Sequence, residues 1–135
     1  MAGGLVLGRL TARRTVLIGT VGVLLGTAVI EAGVAAGLLP LLWVGGIIGG
    51  VGFGASFSGA LRAITPLARP QQRAGLFAAV YVAAYLSFGV PAIIAGLLIA
   101  PVGLLGTVLG HGVAVLAVAA LGLIVQYRLD ADARP

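Results

Sequence analysis

Every arginine in this chain falls at alternate junctions of four long apolar runs. Arg9, Arg13 and Arg14 precede the first run, Arg62, Arg69 and Arg73 bracket the link between the second and third, and Arg128 and Arg134 follow the fourth. The two remaining links, around Gly37-Leu38-Leu39-Pro40 and Ala100-Pro101-Val102-Gly103, carry no charge. Short loops rich in arginine stay on the cytoplasmic side of a membrane, so the alternation predicts both a span count and an orientation. The expectation is an all-α membrane protein with four transmembrane helices and both termini in the cytoplasm.

Composition points the same way. Hydrophobic residues make up 61% of the chain and charged residues 8%, against about 25% charged in soluble proteins. So few polar side chains cannot cover a water-facing surface, and the expected solvent is lipid: a multi-pass protein of the cytoplasmic (inner) membrane. The net charge of +5 then belongs to orientation. Nucleic acid is not expected as a partner, because the arginines are spread over three separate edges without aromatic interleaving or a basic helix face. Absence of cysteine excludes disulfides and thiol chemistry. One histidine and three carboxylates argue against a protein-built metal cage or a carboxylate-pair hydrolase, so neither an enzyme nor a cofactor is expected.

The spans are expected over about 15–37, 40–64, 75–99 and 103–127, within a membrane domain of 15–128. Each is long enough to cross ~30 Å of hydrocarbon at ~1.5 Å per residue. Residues 1–14 read as a cytoplasmic lead and loop, 129–135 as a cytoplasmic tail, and Thr65 to Ala74 as the one hydrophilic loop of any length. Trp43 and Tyr127 occupy positions suited to the interfacial aromatic belts. A cleaved signal peptide is disfavoured, because the apolar stretch after Arg13-Arg14 is about twice the length of a signal core and is interrupted by Thr20, Thr27 and Glu31.

Inside the second span, Gly46, Gly50, Gly54 and Ser58 follow one another at four-residue spacing, with Gly33/Gly37 and Gly106/Gly110 as weaker pairs. Small residues at that spacing allow close backbone approach between membrane helices, which predicts a packing face. The run Gly50-Val51-Gly52-Phe53-Gly54-Ala55 also fits a dinucleotide fingerprint. It lacks the short preceding strand and the acidic residue that fingerprint needs, and is rejected. Pro91 removes a backbone hydrogen bond in mid-span and predicts a kink in the third helix, either structural or lining a cavity.

Three sets of polar or aromatic groups need an explanation in lipid. Glu31 lies roughly 10 Å below the outer surface by helix rise, and His111 lies at similar depth in the fourth span. If the first and fourth helices touch, the two can pair as a proton-coupling site; the alternative is an interfacial glutamate and a histidine bonded to neighbouring backbone. Tyr81, Tyr85 and Phe88, at i, i+4 and i+7, share a face of the third span. With Ser56 at comparable depth they either line a substrate pathway or pack against a glycine-rich neighbour.

These features resemble the C-terminal third of a major facilitator superfamily transporter. Gly4-Leu5-Val6-Leu7-Gly8-Arg9-Leu10-Thr11-Ala12-Arg13 is similar to that family's loop pattern G-x-x-x-D-R-x-G-R-[RK], with Gly4, Arg9 and Arg13 matching. Gly8 replaces the Asp, Thr11 the second Gly and Ala12 an Arg. The stretch from Gly45 to Gly96 resembles the tenth and eleventh spans of bacterial efflux-type members, including the short loop Pro70-Gln71-Gln72-Arg73-Ala74-Gly75. The resemblance implies spans nine to twelve of a twelve-helix pump, with Ser56, Tyr81, Tyr85 and Phe88 as candidates for the central cavity. It also implies proton-coupled efflux of a small hydrophobic compound. Alternating access needs two halves rocking about a midplane site, so four helices from one half are expected to work with the remaining transporter helices, as a truncated or split gene product. Two other readings stand beside it: a self-sufficient four-helix exporter that pairs with another copy, similar to the small multidrug resistance family, and a non-transporting membrane subunit that docks through its glycine face.

Overall fold

A computed structural model describes the backbone of residues 2–132 and the side chains of residues 12–132. The described chain is helical almost throughout: α1 (Ala2–Ala36), α2 (Leu39–Ile64), α3 (Arg73–Val102) and α4 (Leu104–Asp132). All four are long and apolar enough to cross a membrane. Lipid offers no hydrogen bonds to a bare backbone, so a glycine-rich chain that would fray in water stays helical there.

The ends of the helices follow local chemistry. At the end of α1, Gly37 adopts φ +67°. Leu38 N–H donates to Gly33 C=O at 2.9 Å and Gly37 N–H to Val34 C=O at 3.3 Å. This is a Schellman cap, which satisfies carbonyls that would otherwise be orphaned in or near the bilayer. Pro40 then sits in the first turn of α2, where its missing N–H costs nothing. Between α3 and α4 the reversal takes a single residue, Gly103, at φ +85° and ψ +161°. That region of backbone space is essentially reserved for glycine. The arginine-bearing link contains two short 3-10 turns, Thr65–Leu67 and Pro70–Gln72.

Some boundaries differ from expectation. Residues 2–14, expected as a lead and loop, are continuous with the first span in one helix of 35 residues. Nothing between Ala2 and Arg14 stops a helix: there is no proline, and Leu, Ala and Arg are good helix formers. Gly4, Arg9 and Arg13 therefore lie on a helix; the side chains of Gly4 and Arg9 are outside the described set. Helix α4 runs past Tyr127 to Asp132, and Arg134 lies outside the described residues. Helix α3 continues on both sides of Pro91.

The more extensive helix contacts run in the order α2, α1, α4, α3, and α3 also reaches α2 through the ring contact of Phe88 with Phe53. The α1–α2 contact is the most extensive, and its buried residues show why. On α1 they are Ala12, Gly19, Gly26 and Gly33; on α2 they are Gly45, Gly52 and Gly59. Both sets step by seven residues, the interval that keeps a position on one helix face with a drift of only ~20° per repeat and a left-handed crossing. The antiparallel register runs from Val16 opposite Gly59 to Gly33 opposite Leu41. A Cβ placed on Gly52 would lie 2.6 Å from the Gly22 carbonyl carbon, and one on Gly45 would lie 2.7 Å from Gly26 O. Side chains larger than hydrogen do not fit.

The expected packing row, by contrast, is not at this seam. Around Gly46, Gly50 and Gly54 a Cβ would meet nothing within 4 Å, and Ser58 is exposed with its Oγ donating to Gly54 C=O at 2.7 Å. A strict four-residue row rotates ~40° around the helix at each step, because 3.6 residues make a turn. It cannot stay against one straight neighbour. The seven-residue set interleaved with it can.

Candidate functional site

The arginines of the described residues gather at one end of the helices. Ala12 and Val16 of α1 lie against Gly59 of α2, and Arg13 bonds Asp130 of α4 at 2.6 Å. The Ala12 to Val16 stretch of α1 and the ends of α2 and α4 are thus together, and the short 3-10 link starts α3 from the same end. Arg13, Arg14, Arg62, Arg69, Arg73 and Arg128 all belong to this end. A small cavity there, about 160 Å³, is lined by Arg13, Val16, Ala63, Gln126 and Asp130 among others. Gln126 Oε1 is buried in the protein without a hydrogen-bond partner among the described residues.

Toward the opposite end, α1 and α4 meet around Glu31. Its carboxyl group lies directly on the backbone of Gly112, which is buried, so closely that a Cβ at residue 112 would collide with Oε1, Cδ and Cγ. His111 is exposed and lines the same cavity of about 370 Å³, together with Thr27, Thr107 and the apolar Ile30, Ile99 and Val115. Neither Glu31 nor His111 has a hydrogen bond or ion pair among the described residues. The structure therefore brings the two to one cavity without bonding them. Thr107, buried in the first turn of α4, lines the cavity and donates its hydroxyl to Gly103 C=O at 2.8 Å.

Two further cavities, about 400 and 670 Å³, lie along the α3–α4 groove, and Ala95, Pro91, Ala114 and His111 line both. His111 and Ala95 border all three. Proline at 91 leaves the Ser87 carbonyl without its usual helical donor, and Ser87 lines the largest cavity.

The aromatic face of α3 adjoins the largest of these cavities through Phe88. Tyr81, Tyr85 and Phe88 are 52%, 76% and 57% exposed. Phe88 meets Phe53 of α2 edge-on, with ring centroids 5.3 Å apart, and Phe53 stacks on Phe57 at 6.0 Å. Ser56 does not join this group. Its hydroxyl turns into the α1–α2 seam and donates to Val16 C=O at 3.3 Å, an acceptor already used by Thr20 at 2.8 Å.

Sequence reading had passed over Asp130, Gly112 and Thr107. Asp130 was findable, since an acid among arginines at an expected inner end is a natural partner for Arg13. Gly112 was not, because nothing in the sequence says which helix Glu31 will touch.

Four apolar helices of membrane-crossing length make this a multi-pass membrane protein. No family model, curated protein or solved structure matches the chain.

Proposed function

We propose that this chain is a four-span part of a major-facilitator-type secondary transporter of the cytoplasmic membrane. In this reading it works with further helices to carry a small hydrophobic compound outward against protons. The observation that carries the proposal is Tyr85. It lies close to the middle of α3, it is 76% exposed, and its hydroxyl has no partner among the described residues. A hydroxyl left unbonded in hydrocarbon costs on the order of 2–7 kcal/mol. A chain built to face only lipid would not place Tyr81 and Tyr85 one turn apart on that face. A neighbouring helix or a substrate supplies the missing bond.

The sequence likeness of Gly45 to Gly96 to efflux-type spans supports the same assignment, as does the clustering of arginine at one end of the helices. The sidedness follows from the positive-inside rule, which puts that end, and both termini, in the cytoplasm.

A photo-crosslinking residue at position 85, activated in intact membranes, tests the proposal. Adducts to a larger membrane polypeptide are expected. Adducts only to a second copy of the chain support the dimeric exporter instead. Adducts only to lipid leave the transporter reading without its support.

A further inference from the structure

Gln126 closes the apolar run Ala114 to Val125 of α4, and its Oε1 is buried at the arginine end with no hydrogen-bond partner among the described residues. We propose that the cavity beside it, between α1, α2 and α4, is a headgroup site for an anionic phospholipid whose headgroup carries a hydroxyl, of the phosphatidylglycerol type. Arginines hold the phosphate, and Gln126 accepts from the hydroxyl. The inference goes beyond the transporter reading and needs only that the chain lies in a membrane.

Three observations combine. The first is charge. The six described arginines at this end stand against two aspartates, Asp130 and Asp132, which leaves four positive charges in excess. Arg13 is paired with Asp130. Arg14, Arg62 and Arg128 are exposed and have no acidic partner among the described residues. The second is placement. Each helix that lines the cavity brings an arginine at or next to a lining residue: Arg13 and Arg14 on α1, Arg62 beside Ala63 on α2, and Arg128 beside Leu129 on α4. Basic pockets of this kind, between membrane helices at the water interface, hold anionic lipid headgroups. The third is the unmet oxygen. The cavity measures about 160 Å³, several times the ~30 Å³ that one water occupies. Val16, Leu17, Ala63 and Leu129 give it apolar walls, and Arg13, Asp130 and Gln126 give it polar groups. Arg13, the one cationic side chain among them, is bound to Asp130 and leaves the Gln126 oxygen without a donor.

The chemistry narrows the headgroup. Charge complementarity calls for a phosphodiester with a net negative charge. A choline or ethanolamine headgroup carries its own cation and gains little from the arginines. The buried oxygen calls for a donor, since a buried acceptor left unpaired is costly. An anionic phosphate ester without a hydroxyl meets the first demand and fails the second. A glycerol headgroup meets both.

The test is a titration of the full chain in detergent with lipids of identical acyl chains, read by native mass spectrometry at about 0.15 M salt. Phosphatidylglycerol should bind about tenfold or more tighter than phosphatidylcholine or phosphatidylethanolamine. It should bind about threefold or more tighter than phosphatidylmethanol, which keeps the negative charge and lacks the hydroxyl. Gln126→Leu should bring phosphatidylglycerol down to the level of phosphatidylmethanol and leave phosphatidylmethanol unchanged. Arg14→Gln together with Arg62→Gln should weaken both anionic lipids by about threefold or more. Arg69 neither lines the cavity nor adjoins a lining residue, so Arg69→Gln should change neither by more than about twofold. Soluble glycerol phosphate should not compete. The lipid series on the unaltered chain decides the matter even if a variant fails to fold. No preference for anionic lipid, equal binding of phosphatidylglycerol and phosphatidylmethanol, a hydroxyl preference that survives Gln126→Leu, or soluble glycerol phosphate binding as tightly as the lipid would each overturn the proposal. None of these outcomes involves Tyr85 or a partner polypeptide, so failure here is distinct from failure of the crosslinking.

Discussion

The guanidinium of Arg13 lies 2.6 Å from the carboxylate of Asp130, tying the first third of α1 to the end of α4 at the arginine-bearing end of the helices. The two side chains are 52% and 31% exposed, so water and salt screen the pair. A double-mutant cycle with Arg13→Gln and Asp130→Asn, read by unfolding in detergent, is expected to give a coupling of about 0.2–1 kcal/mol that shrinks as salt is added. A coupling insensitive to salt would mean the pair is shielded in a way its exposure does not suggest.

The glycine seam makes a sharper prediction. Gly52→Leu has no room, since even a Cβ there lies 2.6 Å from backbone of α1, and it should destabilise the α1–α2 pair by about 1–3 kcal/mol or more. Gly50→Leu, two residues away on an open face, should change stability by no more than about 0.5 kcal/mol in the isolated chain. Equal effects would put the interface on the wrong glycines. In the same seam, removing the Ser56 hydroxyl with Ser56→Ala should cost about 0.6 kcal/mol, the average for interhelical hydrogen bonds in a membrane.

The cap at Gly37 is a separate test of local geometry. Because its φ is +67°, Gly37→Ala should cost about 1–2 kcal/mol through backbone strain alone. Nothing lies within 4 Å of the Cβ position, so steric contact adds nothing. The same substitution at Gly46, in mid-helix on an open face, should instead be neutral or stabilising, since alanine is the better helix former.

Orientation is tested by reporter fusions. Alkaline phosphatase, active only outside the cytoplasm, should be active when fused after Leu38 or Pro101 and inactive after Gln71. The reverse pattern would invert the assignment built on the arginines.

The reach of sequence reading varied with the kind of signal. Helix ends at Gly37 and Gly103 were legible to within a few residues, because uncharged Gly/Pro links interrupt apolar runs. The start of α1 is not, since the polarity of Arg9 to Arg14 reads as a loop although nothing there breaks a helix. The regular spacing of Gly46, Gly50 and Gly54 predicts a packing face. The heptad of Gly45, Gly52 and Gly59 was equally visible, but choosing between the two rows needs a partner with a matching period, and that partner is the Ala12 to Gly33 series on α1. Depth alone groups Ser56 with the tyrosines, and depth does not say which way around the helix a hydroxyl turns.

The sequence by itself determined that this chain is apolar and sparsely charged enough for lipid, and how many of its helices can cross. Those follow from transfer free energies and charge, which sum along the chain whatever the helices touch. Only the tertiary structure decided that α1 is clamped to α2 by glycines seven residues apart, that Arg13 meets Asp130, and that Glu31 rests on Gly112 beside His111. Contacts of that kind depend on rotation and register between helices. In a bilayer, where one apolar face is as well solvated by lipid as another, close packing sets rotation and register, and hydrophobicity does not.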